Sequence, residues 1–404
     1  MKHPFILYLF TSFLLCSLEQ PEARSITLAW QKNYGEQANV LPNVLQNTRD
    51  GGYLMAGYRI NNQPSKAHNE NVWINKTNTE GDIIWDYELG NADREVANNT
   101  IELSNGNVMV IGTTHSKGSG KGDIWLLCLN SQGTLQWDAT FGGPETDEGQ
   151  AIIATKDGGF AILGMRMVED ATKSTENKKT YRQSLWLCKT DAMGKLLWEK
   201  NFYNGNYNMA KSLIETTDGL FLVGNTMINE KSMDGWLVKT DHEGNMQWNK
   251  TYGGLRWDNF QAAILSSDNN LMVVGTSYQQ HLDGDAWLLK VDRNGTTLLE
   301  KYIDASAYEA AVAVQETANK HLQVVSNVTL PTNESMFMVS YLASNGNEVW
   351  TKLFADHNIN KITAATRNQA GELVLCADAN KGIAPCGEIE GEKNAWLLKF
   401  AEEF

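Results

Sequence analysis

The residues able to do chemistry in this chain are scattered. His281, His357, Tyr207, Tyr308 and Arg256 are the types a polysaccharide lyase requires. Histidine or tyrosine would act as base and acid, and arginine would neutralise a uronate carboxylate. Glu95, Asp147 and Asp258 are available for the facing carboxylates of a glycoside hydrolase. The same three could hold a hard cation such as Ca2+ through oxygen ligands. Trp257, Arg256, Tyr207, Tyr278 and Tyr308 form a candidate ligand-binding set of stacking platforms and one charged group. The chain carries no GxSxG, HExxH or Walker loop. No CxxC or His-rich spacing suggests zinc. In a chain with 48 acidic residues availability alone does not make a site. The elements that position these residues must decide.

Those elements repeat. An opening Trp recurs as Trp73, Trp125, Trp186, Trp236, Trp287 and Trp396, with Met338 in the same slot, at intervals of 50 to 61 residues. A glycine follows eight positions on (Gly81, Gly133, Gly194, Gly244, Gly295, Gly346), and a closing residue twelve on (Trp85, Trp137, Trp198, Trp248, Leu299, Trp350). Each unit reads as four strands: two short apolar strands around a turn such as DGG or NGN, a loop of variable length, the WLLK strand, a D-x-x-G turn and a closing strand. Short strands with glycine turns at regular spacing indicate radial repetition about an axis. The segment SITLAWQKNYG, from Ser25, is a fourth strand without its first three, and NAWLLKF, from Asn394, is a third strand without its fourth. Joined, they complete one unit. The expectation is all-β: a seven-bladed β-propeller of four-stranded blades spanning 25–404, its last blade closed by the N-terminal strand.

The phrase D-x-W-L-x-K-x-D-x-x-G-x-x-x-W, followed by an aromatic-Gly-Gly, resembles the repeats of secreted bacterial β-propeller proteins. It is also distantly similar to the tryptophan-docking repeat of quinoprotein dehydrogenases. That second likeness implies a quinone cofactor, against which stand seven blades instead of eight and the lack of an adjacent cysteine pair.

The repeated residues read as scaffold, and the Lys three after five of the openers (Lys76, Lys189, Lys239, Lys290, Lys399) as lying on a blade surface with its stem packed. Candidates for function are what the repeat leaves unexplained. Of thirteen tryptophans only Trp257 falls outside an opener or closer slot, in a connection between blades. Strand alternation places these connections and the variable loops on one face, together with His68, His115, His281 and His357. The start of each innermost strand supplies Val40, Glu95, Asp147, Asn208, Asp258, Tyr308 and Asn360, a polar ring expected at the mouth of the central channel. There it would bind Ca2+ or a polar ligand, or simply cap inner-strand backbone groups.

Residues 1–24 read as a secretory leader, with a polar start, the apolar run PFILYLFTSFLLC and a polar exit. Lipidation of Cys16 is the alternative, disfavoured by Leu15 before it. No spanning segment follows. The net charge of −14 excludes a nucleic-acid partner, which needs clustered Lys and Arg. Cys376 and Cys386 are placed to form a disulfide, and Cys128 and Cys188 to be buried thiols. The function expected is a secreted, periplasmic or surface-exposed monomeric binding or scaffold propeller, requiring no cofactor and engaging a carbohydrate or protein on the loop-rich face. A lyase or hydrolase on that face is the alternative.

Overall fold

The computed structural model describes residues 25–35, 39–60, 70–90, 93–175, 178–228, 232–356, 358–380 and 393–403. The expected leader, His68, His357 and Cys386 lie outside the described residues. The chain forms seven four-stranded antiparallel sheets, the blades of a β-propeller, with no helix among the described residues. Blades 1 to 6 span 39–89, 95–141, 147–202, 207–252, 258–303 and 308–354. Blade 7 takes three strands from 359–403, and its outer strand is Ser25–Tyr34, paired antiparallel with Lys393–Glu403. The closure expected from the two half-units is therefore the one observed.

The hydrophobic core is divided into seven clusters, one at each junction between neighbouring blades. Each opening Trp packs back onto the preceding blade: Trp186 of blade 3 lies among Met109, Ile111, Ile124 and Leu126 of blade 2. Its indole N–H is satisfied thirteen residues on, by the residue after the closer. Trp73 donates to Asp86 at 2.5 Å, Trp125 to Asp138 at 2.8 Å, Trp186 to Glu199 at 3.2 Å, Trp236 to Asn249 at 3.2 Å and Trp287 to Glu300 at 3.0 Å. In blade 7 that slot holds Gln31, and the buried Trp396 Nε1 has no acceptor. The closing Trp instead reaches forward. Trp198 of blade 3 lies over Gly244 in the D-x-x-G turn of blade 4, where an added Cβ would stand 2.7 Å from the ring. Gly244 also has φ +77°, so sterics and backbone both demand glycine.

The repeated lysines differ from expectation. Lys76, Lys189 and Lys239 are buried rather than on a blade surface. Each reaches an aspartate of its own blade's first hairpin turn: Lys76 to Asp50 at 3.0 Å, Lys189 to Asp157 at 2.9 Å and Lys239 to Asp218 at 3.0 Å. Burying the ammonium is tolerated because the turn carboxylate compensates it. Cys376 also departs from its reading. It is a free thiol in the middle of the strand Leu373–Asn380, fully buried in the core between blades 7 and 1, instead of flanking the loop as a disulfide with Cys386 would require. Burial pushes its pKa up to about 12. Cys128 and Cys188 are buried free thiols, as expected.

Candidate functional site

The residues meant to ring the channel do not line it. Every innermost strand carries a bulge two residues after its expected ring position, or three after it in blade 6, for example between Gly149 and Ala151 or between Phe260 and Ala262. The extra residue of each bulge turns inward, so the channel, a cavity of about 600 Å³, is lined at this level by Asn43, Asn98, Gln150, Lys211, Gln261, Val312 and Thr363. This true ring lies three positions beyond the expected one and contains no carboxylate. Glu95, Asp147, Asn208 and Asp258 are fully buried at four separate blade junctions. They meet local partners: Thr114 donates to Glu95 at 3.3 Å, and Asn208 donates to the Gln183 carbonyl at 2.6 Å. Asn360 exchanges hydrogen bonds with Asn380. Glu95, Asp147 and Asp258 thus neither converge on one ion nor face each other across a glycosidic bond. In blade 6 the slot two before the bulge is Glu309, one residue beyond the expected Tyr308.

Three buried inner-strand acids, Asp147, Asp258 and Glu309, face the Asp two before the opener on the preceding blade, a slot that holds Asn71 opposite Glu95. At the junction of blades 2 and 3, Asp123 accepts from the backbone N–H groups of Ser119 and Gly120 at 3.1 and 3.0 Å, and Asp147 from those of Gly143 and Met167 at 2.6 and 3.2 Å. Burial pushes Asp147 up to about 6, opposed by those N–H groups and Arg166 and helped by Asp123. Between blades 4 and 5, Asp258 accepts from Gly254 N–H at 2.9 Å and the Gln279 amide at 2.6 Å. Burial and then Asp258 raise Asp234 to about 6. Between blades 5 and 6, His281 Nδ1 lies 2.8 Å from Asp285 Oδ1, and Glu309 accepts from Ala307 N–H at 3.1 Å. Burial raises Glu309 to about 7, with Asp304 and Asp285 adding to it.

The connections between blades share a face with the second-to-third-strand loops, as expected, and the two are tied by backbone hydrogen bonds: Tyr278 N–H to the Trp257 carbonyl at 3.2 Å, Asp258 N–H to that of Met233 at 2.7 Å. The residue just before the inner-strand slot differs from blade to blade, from the buried Ile359 of blade 7 to exposed rings. In three successive connections it is aromatic and exposed: Tyr207 (41% exposed), Trp257 (48%) and Tyr308 (37%). Arg256, Trp257 and Tyr278 come together in one open pocket of about 540 Å³ with Asn259, Leu255 and Leu282. The Tyr278 ring lies 6.4 Å from that of Tyr308, which extends the surface across the next junction. Tyr207 stands two junctions from Tyr308, so the lyase roles suggested for Tyr207, Tyr308 and Arg256 do not share one centre. Sequence reasoning missed Leu255 and Leu282, which are 97% and 78% exposed. Their signal was present: both follow polar or glycine residues in loops where no strand pattern accounts for a leucine.

Fold and site together define a seven-bladed β-propeller with an aromatic arc on its loop-bearing face. No protein-family model and no curated protein matches the chain. Among solved structures it is similar to the Pan2 WD40 domain of Neurospora crassa (TM-score 0.54, 11% identity, 93% of this chain and 96% of that one). It is similar to a chain of the Drosophila Plexin A–Semaphorin 1b complex (0.53, 9%, 94% and 88%) and to a periplasmic gluconolactonase of Pseudomonas aeruginosa (0.51, 10%, 87% and 100%). Similarity at these identities is a likeness of fold. No helix among the described residues is long and apolar enough to cross a membrane.

Proposed function

We propose that this protein is a binding propeller, acting outside the cytoplasm, that engages an extended segment of a protein partner along the arc Tyr207–Trp257–Tyr308. The observation that carries this is the exposed aromatic at one register position in three successive connections. A fold that buries its opening tryptophans and packs its closing ones against the next blade's turn has no structural use for three exposed rings there, and clustered exposed apolar surface marks interaction sites. A protein segment fits better than a glycan because Leu255, Leu282 and the exposed Ile228 add aliphatic surface that apolar side chains match and sugar hydroxyls do not. Arg256 beside Trp257 completes an anchor of the kind that dominates binding energy. A glycan is the second reading, favoured by the Trp257–Tyr278 pair beside Asn259 and Arg256 in one open pocket.

The test is selection of a displayed random-peptide library on the wild type, alongside a glycan array. Selected peptides are expected to carry an aromatic or aliphatic anchor and to bind Trp257→Ala and Leu282→Ser at least about tenfold more weakly, the loss of one hot-spot contact. Melting temperatures should be unchanged. Peptides indifferent to both substitutions would remove this reading, whereas array signals lost in Trp257→Ala would replace it with the glycan.

A further inference from the structure

Three departures from the repeat coincide at the junction of blades 5 and 6. The first is His281. In blade 2 the residue four before the third-strand Asp is Ser119, whose backbone N–H caps Asp123, whereas in blade 5 that place holds His281, whose ring nitrogen meets Asp285. The second is Asp304. At the other two acid junctions the corresponding residues are Gly142 and Gly253, where an added Cβ would stand 1.9 Å from Asp123 Oδ1 and 2.6 Å from Asp258 Oδ2. Here that glycine is replaced by a third acid, its carboxylate 3.8 Å from His281 Nδ1. The third is Glu309 in place of Asp147 or Asp258, one methylene longer.

We propose that His281, Asp285 and Asp304, backed by Glu309, bind one divalent transition-metal cation of the Zn2+ class. One ligand atom from each of the first three lies within 4.8 Å of the others. Two atoms each about 2.1 Å from a zinc ion sit at most about 4.2 Å apart, so an inward shift of about half an ångström gathers them around one ion. The buried oxygens beside this cluster are open to a cation. Asp285 Oδ2 and Glu309 Oε2 have no hydrogen-bond donor, although both residues are fully buried. At the junction of blades 2 and 3 both acids are capped by two backbone N–H groups each, whereas between blades 4 and 5 Asp234 Oδ1 and Asp258 Oδ1 also lack a donor. What sets the blade 5–6 junction apart is therefore His281 and Asp304 beside the uncapped oxygens. Two carboxylates so close, with the Glu309 carboxyl acting on both, repel unless protons or a cation compensate them. An imidazole nitrogen selects a borderline cation over Ca2+, which takes six to eight oxygens. The ion would pin the loop carrying Tyr278, His281 and Leu282 against blade 6.

The experiment is calorimetric titration of the EDTA-dialysed protein with ZnCl2, with CaCl2 and MgCl2 in parallel, followed by thermal melts. One Zn2+ per chain should bind, more tightly than Ca2+, and should raise the melting temperature. His281→Ala and Asp304→Asn alter exposed side chains and should melt like the wild type without zinc. Removal of an outer-shell partner weakens metal sites by about 10–100-fold, and removal of a ligand should do at least as much. Glu309→Gln should weaken binding while leaving the exposed cluster whole, and Trp257→Ala should leave it unchanged. Absence of stoichiometric Zn2+ uptake, equal affinity in His281→Ala and Asp304→Asn, or Ca2+ binding as tight as Zn2+ would each overturn the proposal.

Discussion

Trp287→Ala is expected to destabilise the propeller by about 3–5 kcal/mol, the range for truncating a buried large aromatic. Trp257→Ala, one junction-facing loop away, should change stability by no more than about 0.5 kcal/mol. Both remove the same side chain, so the contrast isolates environment. Trp287 is 1% exposed and stacks on Phe260 with ring centroids 5.0 Å apart. It packs with Phe221, Val223 and Leu237 of blade 4, so its loss opens a cavity between two blades instead of within one. The Glu300 carboxylate would lose the indole donor, although the Tyr302 hydroxyl, also 3.0 Å away, stays with it. Urea denaturation followed by circular dichroism measures both variants. A Trp287→Ala midpoint equal to that of the wild type would refute the idea that the opening tryptophans hold each blade to the one before it.

The scaffold was legible because its signals are local. A Trp, a glycine eight on and a second large residue twelve on lie within one hairpin, and the two half-units at the ends announce the closure. Relations between blades were harder to read. The indole acceptors Asp86, Asp138, Glu199, Asn249 and Glu300 are a repeated column in the sequence, yet only the folded hairpin shows what they accept. The buried acid pairs join residues about 24 apart on different sheets, and neither member declares the other. The channel ring was wrong by three positions because an inner-strand bulge leaves no mark in a polar/apolar pattern. Glu309 was missed by one residue because the turn in blade 6 reads Thr-Ala-Asn-Lys-His, in which Asn319 takes the aspartate's place in the turn and accepts from Thr317 at 2.6 Å. Departures from the repeat carried further than its matches. Trp257 was found that way, and Asp304 in a glycine slot could have been.

Stability is expected to fall as pH rises from about 4 to about 7. Asp147 and Asp234 have folded-state pKa values near 6, because burial and a facing aspartate disfavour their charged forms. The unfolded chain releases these protons near the ordinary aspartate value of about 3.9, so between about pH 4 and 6 the folded state holds more protons than the unfolded one. Their stabilising contribution is complete below about pH 4 and gone above about pH 6, a difference of at most about 3 kcal/mol for each and less where water screens the carboxylate. The turn aspartates act in the opposite sense. Thr155 and Lys189 hold Asp157 down to about 2, and that contribution is lost as pH falls from about 4 towards 2. The two sets place the stability maximum near pH 4–5, below the neutral range. Urea midpoints in EDTA should therefore be higher at pH 5 than at pH 7.5. Asp234→Asn, which fixes the uncharged form, should be more stable than the wild type at pH 7.5 and should flatten the slope between the two. A wild-type midpoint that rises from pH 5 to pH 7.5, or an Asp234→Asn slope equal to that of the wild type, would show that the facing carboxylates are not held protonated by the blades around them.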